Sequence, residues 1–184
     1  MTSSFLHFID NNTPSITGLL ATLDILKNRV PEEEQKKIRA ARVFLFYSEG
    51  PGCITKFRFK ETEGQINRLI VIDKTLTREL LKFDPTEIGA EIMHEIGHYL
   101  NKEPKDQGAS CEFFADDYAR RLGFSASLGS GLKKYILLIE RMEQQGILFF
   151  REKEKQDKIL ELLRVRIERI KTSAPLFTGA LDLE

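Results

Sequence analysis

The chain has no tryptophan, only two cysteines, and only three histidines in 184 residues. Each shortage excludes something. Cys53 and Cys111 are too few for a disulfide framework. Both read as ordinary free thiols, and a reducing cytoplasm is the expected compartment. No apolar stretch approaches the roughly 18 residues of a membrane span, so no transmembrane segment is expected. The opening residues, MTSSFLHFID, lack a basic segment followed by an apolar run, and no signal peptide is expected either. Basic and acidic residues balance at 28 each. A zero net charge argues against a general nucleic-acid or anionic-membrane binder, and no nucleic-acid partner is expected. Internal repeats and low-complexity linkers are also missing. The length suits one domain with a real core or two tightly joined lobes, and thirteen phenylalanines give that core aromatic material.

Periodicity supplies the elements. ITGLLATLDILKNRV places Ile16, Leu19, Leu20, Leu23, Leu26 and Val30 on one helical face, with Thr13 or Ser15 able to cap its start. PEEEQKKIRAA reads as a second helix, with Pro31 in its first turn and acidic residues that suit the dipole. The pattern then shortens. RVFLFY is an apolar run, ITKFRFK alternates apolar and basic residues, and RLIVI follows the turn-like ETEGQ. These predict a small, mostly antiparallel sheet. TRELLKF is expected to be a short helix. A helix is predicted from about residue 85 to 101, with Asp84 as cap, Pro85 at the first position and Glu87 three residues after the cap. NKEPKDQGA is a polar loop. Ser110 is placed to cap CEFFADDYARRL, which Gly123 should end. Two longer helices follow, around GLKKYILLIERMEQQ and EKEKQDKILELLRVRIERIK, and SAPLFTGALDLE forms an irregular tail.

Two of the three histidines, His94 and His98, stand four residues apart inside the predicted helix TEIGAEIMHEIGHYL. Residues at that spacing share one helical face, so both imidazoles can bind one metal ion. Glu95 is turned about 100° around the helix, beside the ion, where it can take a proton from a metal-activated water. Apolar Ile92, Met93, Ile96 and Leu100 surround the motif and imply partial burial. A catalytic zinc usually takes three protein ligands and keeps one position for water. His7, in an N-terminal segment expected to be loose, is a poor third ligand. Glu112 is better: it lies in the first turn of the next helix. Asp116, one turn further on, can accept a hydrogen bond from the far ring nitrogen of a ligating histidine and orient it. Gly97 costs its helix about 1 kcal/mol relative to alanine, which makes sense if another backbone packs against that turn.

With HEIGH followed by EFFADDYA, the sequence resembles the gluzincin metallopeptidases, zincins whose third zinc ligand is a glutamate on a second helix. The closest pattern is that of the CAAX prenyl protease and heat-shock membrane protease family, whose second motif E-x-x-A-D is here Glu112 to Asp116. The resemblance covers residues 84 to 124. It implies that His94, His98 and Glu112 bind Zn2+, that Glu95 is general base and acid, and that Asp116 supports a ligand. It also implies an α+β, zincin-like fold: a small mostly antiparallel sheet packed on an active-site helix, then a helical C-terminal half. On this reading residues 1–184 form a single metallopeptidase domain, with an N-terminal lobe over 1–101 and a helical lobe over 102–184. Members of that family are typically embedded in membranes, whereas this chain has no spanning run. Many carry a later histidine before an Arg-Ile pair. Here the Arg-Ile pairs are present in LELLRVRIERI, but Leu160 stands where the histidine is expected before Arg166. Tyr118, Tyr135, Arg164, Arg166 and Arg169 are then the candidates to steady a developing oxyanion.

The reading that follows is a soluble zinc endopeptidase acting on a peptide or protein, with Glu95 as general base. The substrate could lie along an edge strand, ITKFRFK or RLIVI. Three alternatives accompany it. One is a regulatory protease acting on one intracellular partner. A second is a non-enzymatic binding module that keeps the zinc as a staple, for instance with Cys111 as a fourth ligand. The third is a latent enzyme whose tail reaches back with Asp182 or Glu184 as the blocker.

Overall fold

The computed structural model describes residues 7–8, 17–48, 56–60, 66–73, 77, 80–101 and 108–172. Their elements run β1 (His7–Phe8), α1 (Thr17–Arg29), α2 (Glu32–Ala40), β2 (Val43–Ser48), β3 (Lys56–Lys60), β4 (Ile66–Asp73), α3 (Pro85–Leu100), α4 (Ala109–Arg121), α5 (Ser125–Gln144) and α6 (Lys153–Thr172). The class is α+β with most of the mass helical. Among the described residues, no helix is long and apolar enough to cross a membrane.

The sheet corrects the expectation. Its strand order is β1-β2-β4-β3. β1–β2 and β2–β4 pair parallel, and only β3–β4 is antiparallel. β3 and β4 do form the expected antiparallel neighbours, with Phe57 opposite Leu69. The other edge of β4 takes β2, in a register that sets Leu45 beside Ile70. The sequence carried a sign of this. RVFLFY and RLIVI are continuous apolar runs, the pattern of strands covered on both faces, and parallel central strands read that way. It follows that RLIVI is no edge. β4 has a strand on either side, so only β3 of the two proposed edges could receive an extended peptide. His7 is also better placed than expected, in a short strand paired with Phe44.

Helix α3 is the centre of the molecule. It packs against α1, α4, α5 and β4, and from Glu87 to Gly97 almost every residue is buried. Its start is fixed by a full capping box. Asp84 accepts hydrogen bonds from the Thr86 and Glu87 amides at 2.7 and 2.9 Å, and the Glu87 carboxylate accepts one from the Asp84 amide at 2.8 Å. Glu87 is itself buried and does a second job. It accepts hydrogen bonds from Ser130 at 2.6 Å and Lys134 at 2.5 Å, tying α3 to α5. The α1 hydroxyl of Thr22 donates to the Pro85 carbonyl at 3.0 Å. Thr22, Leu26 and Val30 of α1 face inward, while Leu20, expected on the buried face, is 57% exposed.

Other boundaries shift for local reasons. Ser110 lies inside α4, and the cap position is Gly108, which makes no side-chain cap bond. Gly123 ends that helix as expected, at φ +82°. Helix α5 begins at Ser125, six residues before the Gly131 expected at its start. Gly131 is an interior residue with a packing reason: a Cβ there would lie 3.2 Å from Glu91 Oε1 and 3.4 Å from the Phe83 ring. Of TRELLKF, Thr77 and Leu80 are π-helical, and the Phe83 amide donates to the Thr77 carbonyl at 2.7 Å. The caps considered at Thr13 and Ser15, the turn ETEGQ, Cys53 and the tail 173–184 lie outside the described residues.

Because one side chain supplies two acceptors to the first turn of the central helix, Asp84→Ala should lower the unfolding free energy by about 1–2 kcal/mol. A urea titration showing no shift in midpoint would mean that the cap contributes nothing to α3.

Candidate metal centre

α3 and α4 meet at Gly97. A Cβ on that residue would sit 2.9 Å from the Ala115 Cα and 3.0 Å from the Tyr118 Cβ. Only glycine permits that approach, as the sequence reading anticipated. The approach carries Glu112 and Asp116, one turn apart on α4, to the histidine face of α3.

The result is a compact cluster. His94 Nε2 lies 3.1 Å from His98 Nε2. Glu112 spans the pair, with Oε2 3.3 Å from His94 Nε2 and Oε1 3.3 Å from His98 Nε2. The two rings stand at 90° to each other. One ligand atom from each of the three residues falls within 4.8 Å of the others, so His94, His98 and Glu112 could hold a metal ion. Asp116 Oδ1 lies 2.9 Å from His94 Nδ1, the ring nitrogen facing away from the cluster. Such a bond leaves Nε2 for a metal and fixes the ring orientation. Cys111 is a half-buried free thiol outside this group.

Of the five residues considered for the oxyanion, the structure separates two from three. Tyr118 donates to Glu34 at 3.2 Å, Arg164 pairs with Glu140 at 2.7 Å, and Arg169 pairs with Asp117 and donates to the Phe113 carbonyl. All three are directed elsewhere. Tyr135 and Arg166 line a cavity that also borders Glu91, His94, Glu95 and Glu112. Arg166 is deeply engaged. Its Nε and Nη2 grip both Asp116 oxygens at 2.9 and 2.7 Å, and its Nη1 lies 3.0 Å from Glu112 Oε2. One arginine from α6 therefore holds Glu112 and Asp116 of α4 in place. The sequence offered Arg166 as one name among several and gave no reason to prefer it.

Four carboxyl groups, Glu91, Glu95, Glu112 and Asp116, gather around His94 and Arg166. Glu91 went unremarked in the sequence, although it sits one turn before His94 and Glu95 among the isoleucines of α3. Its Oε1 is buried and makes no hydrogen bond. Burial, aided by the nearby Glu95 and Asp116 charges, pushes its carboxyl up to about 7 against the pull of His94 and Arg166. Burial acts in the same upward sense on Glu112 and Asp116, but hydrogen bonds from His94 and His98 hold Glu112 well below the usual carboxylate range, and those from His94 and Arg166 lower Asp116. For His94, burial pulls the pKa down, yet the bonds to Asp116 and Glu112 overcome it and push the ring up to about 9. An excess of acidic groups around two imidazoles fits a divalent cation as the missing charge.

No protein-family model matches this chain, and no curated protein or solved structure matches it.

Two outcomes follow from this geometry. Arg166→Ala strips Asp116, whose side chain is 1% exposed, of both guanidinium bonds. Breaking a buried pair from one side should cost about 3 kcal/mol. A loss below about 1 kcal/mol in a denaturant titration would mean that His94 alone satisfies Asp116. The second outcome concerns protons. His94 has a raised pKa, so its proton stabilises the fold fully below the ordinary value of 6.5, and that contribution fades as pH rises through about 9. A metal at Nε2 competes with that proton. Zinc titration at pH 7 in buffers of different ionisation enthalpy should release about one proton per ion. Affinity should rise with pH up to about 9 and then level off. Uptake without proton release would contradict a protonated His94.

Proposed function

We propose that the chain is a zinc-dependent peptidase of the gluzincin kind. The observation that carries this is the convergence of two imidazoles from one helix and one carboxylate from the next, with a further carboxylate, Glu95, beside them. The two imidazole Nε2 atoms lie 3.1 Å apart, and each lies 3.3 Å from a different oxygen of Glu112. Two nitrogen ligands placed tetrahedrally at zinc distances would be separated by about 3.4 Å. The donor set, two imidazoles and a carboxylate, favours zinc over the larger, all-oxygen calcium sites.

His94, His98 and Glu112 are the residues that would hold the ion. When bound, zinc supplies Lewis acidity, which lowers the pKa of a water toward about 7 and polarises a carbonyl. The protein does the rest. Asp116 and Arg166 keep His94 and Glu112 in a fixed orientation, so little reorganisation accompanies reaction. Glu95 borders the same cavity and would take the proton from the attacking water and pass it to the departing amine. Arg166 is occupied by two carboxylates, which makes Tyr135, on the cavity wall, the better donor for a developing oxyanion. An extended peptide would find a free strand edge among the described residues at β3. The zincin-like fold and the kinship with the CAAX prenyl protease and heat-shock membrane protease family belong to the same proposal, supported by the two motifs. The paucity of cysteine, two in 184 residues, suits a cytoplasmic setting.

Glu95→Gln tests the chemistry. The variant should bind one equivalent of zinc as the parent does, and should lose about 10²–10⁴-fold in peptide cleavage. Metal analysis paired with digestion of a peptide library reads both at once. Equal cleavage by parent and variant would remove Glu95 from the mechanism, and no zinc in either, with zinc offered during preparation, would remove the proposal.

A further inference from the structure

The cavity beside the cluster has a lining of two kinds. His94, Glu95, Glu112 and Arg166 belong to its polar part. The apolar part is Leu132 and Ile139 of α5, Phe149 and Phe150 of the connection to α6, and Ile159 and Leu163 of α6. Three features make this more than a packing gap. The volume is about 270 Å³, slightly below the ~300–1,000 Å³ that whole small-molecule ligands occupy. A space of that size, opening on a reactive centre, suits one side chain of a longer ligand. The aromatic wall is also held deliberately: the Phe149 amide donates to Gln156 Oε1 at 3.0 Å, and the fully buried Gln156 donates in turn to Glu143 at 2.9 Å. Those bonds set the connection, and with it Phe149 and Phe150, over the cavity. Glu91 completes the lining, its Oε1 buried and without a hydrogen bond.

We propose that this cavity is the side-chain subsite of the peptidase. It takes a bulky uncharged side chain, aromatic or branched aliphatic, from the residue adjoining the bond to be cut, and it excludes acidic side chains. The apolar walls favour burial of carbon surface, and a full aromatic or branched side chain gains roughly 1.5–3 kcal/mol from such transfer. An entering carboxylate would meet the carboxyl groups of Glu91, Glu95 and Glu112 in the lining, while the Arg166 guanidinium is already bound to Asp116 and Glu112. A substrate with aspartate or glutamate at that position would desolvate a charge among like charges and find no unengaged guanidinium to pair with. The inference rests on the peptidase reading above, because it uses the cluster to align the ligand.

The test uses peptide-like hydroxamates, which chelate zinc, carrying a benzyl, a methyl or a carboxymethyl side chain next to the chelating group. Binding to the full zinc-loaded chain is measured by calorimetry, with zinc uptake recorded first. The benzyl compound should bind at least about tenfold tighter than the methyl one, and the carboxymethyl compound should bind most weakly. Ile159→Trp, at a half-buried wall position, fills the cavity and should reduce the benzyl-to-methyl ratio to about threefold or less. Phe150→Ala removes part of the wall and should reduce it as well, so the result does not hang on one variant folding. Equal binding of benzyl and methyl compounds by the zinc-loaded parent overturns the subsite alone, as does a ratio unchanged in both variants. Discrimination among hydroxamates without cleavage of any peptide supports the subsite and overturns the hydrolase. Failure to take up zinc overturns both.

Discussion

The close approach of α3 to α4 at Gly97 is the constraint on which the cluster depends. A methyl group at that point would have to occupy the space of the Ala115 backbone. Without it the helices would stand further apart, and Glu112 would not span His94 and His98. The short separations among the three donors are thus consequences of one missing Cβ. Ala115, buried and small, is the matching residue on the other side. Two unremarkable residues set the distance at which two imidazoles and a carboxylate meet.

The buried ionic group around Arg166 is a second consequence of that approach. Bringing Asp116 and Glu112 inward takes acidic groups out of water, at a cost that packing alone does not offset. Arg166 answers both carboxylates with one guanidinium, whose planar fork suits the two Asp116 oxygens. Since Asp116 in turn meets His94 Nδ1, a chain of contacts runs from α6 through α4 to the ligand on α3. Rigidity at the histidine is obtained from a residue far along the chain.

How legible this was depended on the range of each interaction. His94, Glu95 and His98 could be read because their relation is one helical turn, and periodicity converts directly into geometry. Glu112 and Asp116 are again four apart on one helix. Gly97 could be read because a mid-helix glycine is unfavourable unless something packs on it. Arg166 could not be singled out, since its partner Asp116 is 50 residues away and nothing local distinguishes it from Arg164 or Arg169. Glu91 was passed over because an acid among isoleucines has no meaning until α5 closes over it. Three of the four described strands were found, but β1 and the strand order were not. Periodicity identifies a strand and its covered faces, while the neighbour it pairs with is a property of the whole chain. Leu20 failed for a related reason: of the described stripe residues Leu23, Leu26 and Val30 meet the core and Leu20 does not, and what covers each turn of a helix is set by distant elements.

The contribution of α6 also bears on how the protein is made. Ribosomes deliver residues in order, so the histidines and Glu112 emerge well before the guanidinium that neutralises the acids beside them. Until that last helix arrives and docks, Asp116 has His94 as its inward partner but lacks the guanidinium that grips both its oxygens. A product ending short of residue 166 would carry His94, His98 and Glu112 without the fork that frames Glu112 and Asp116.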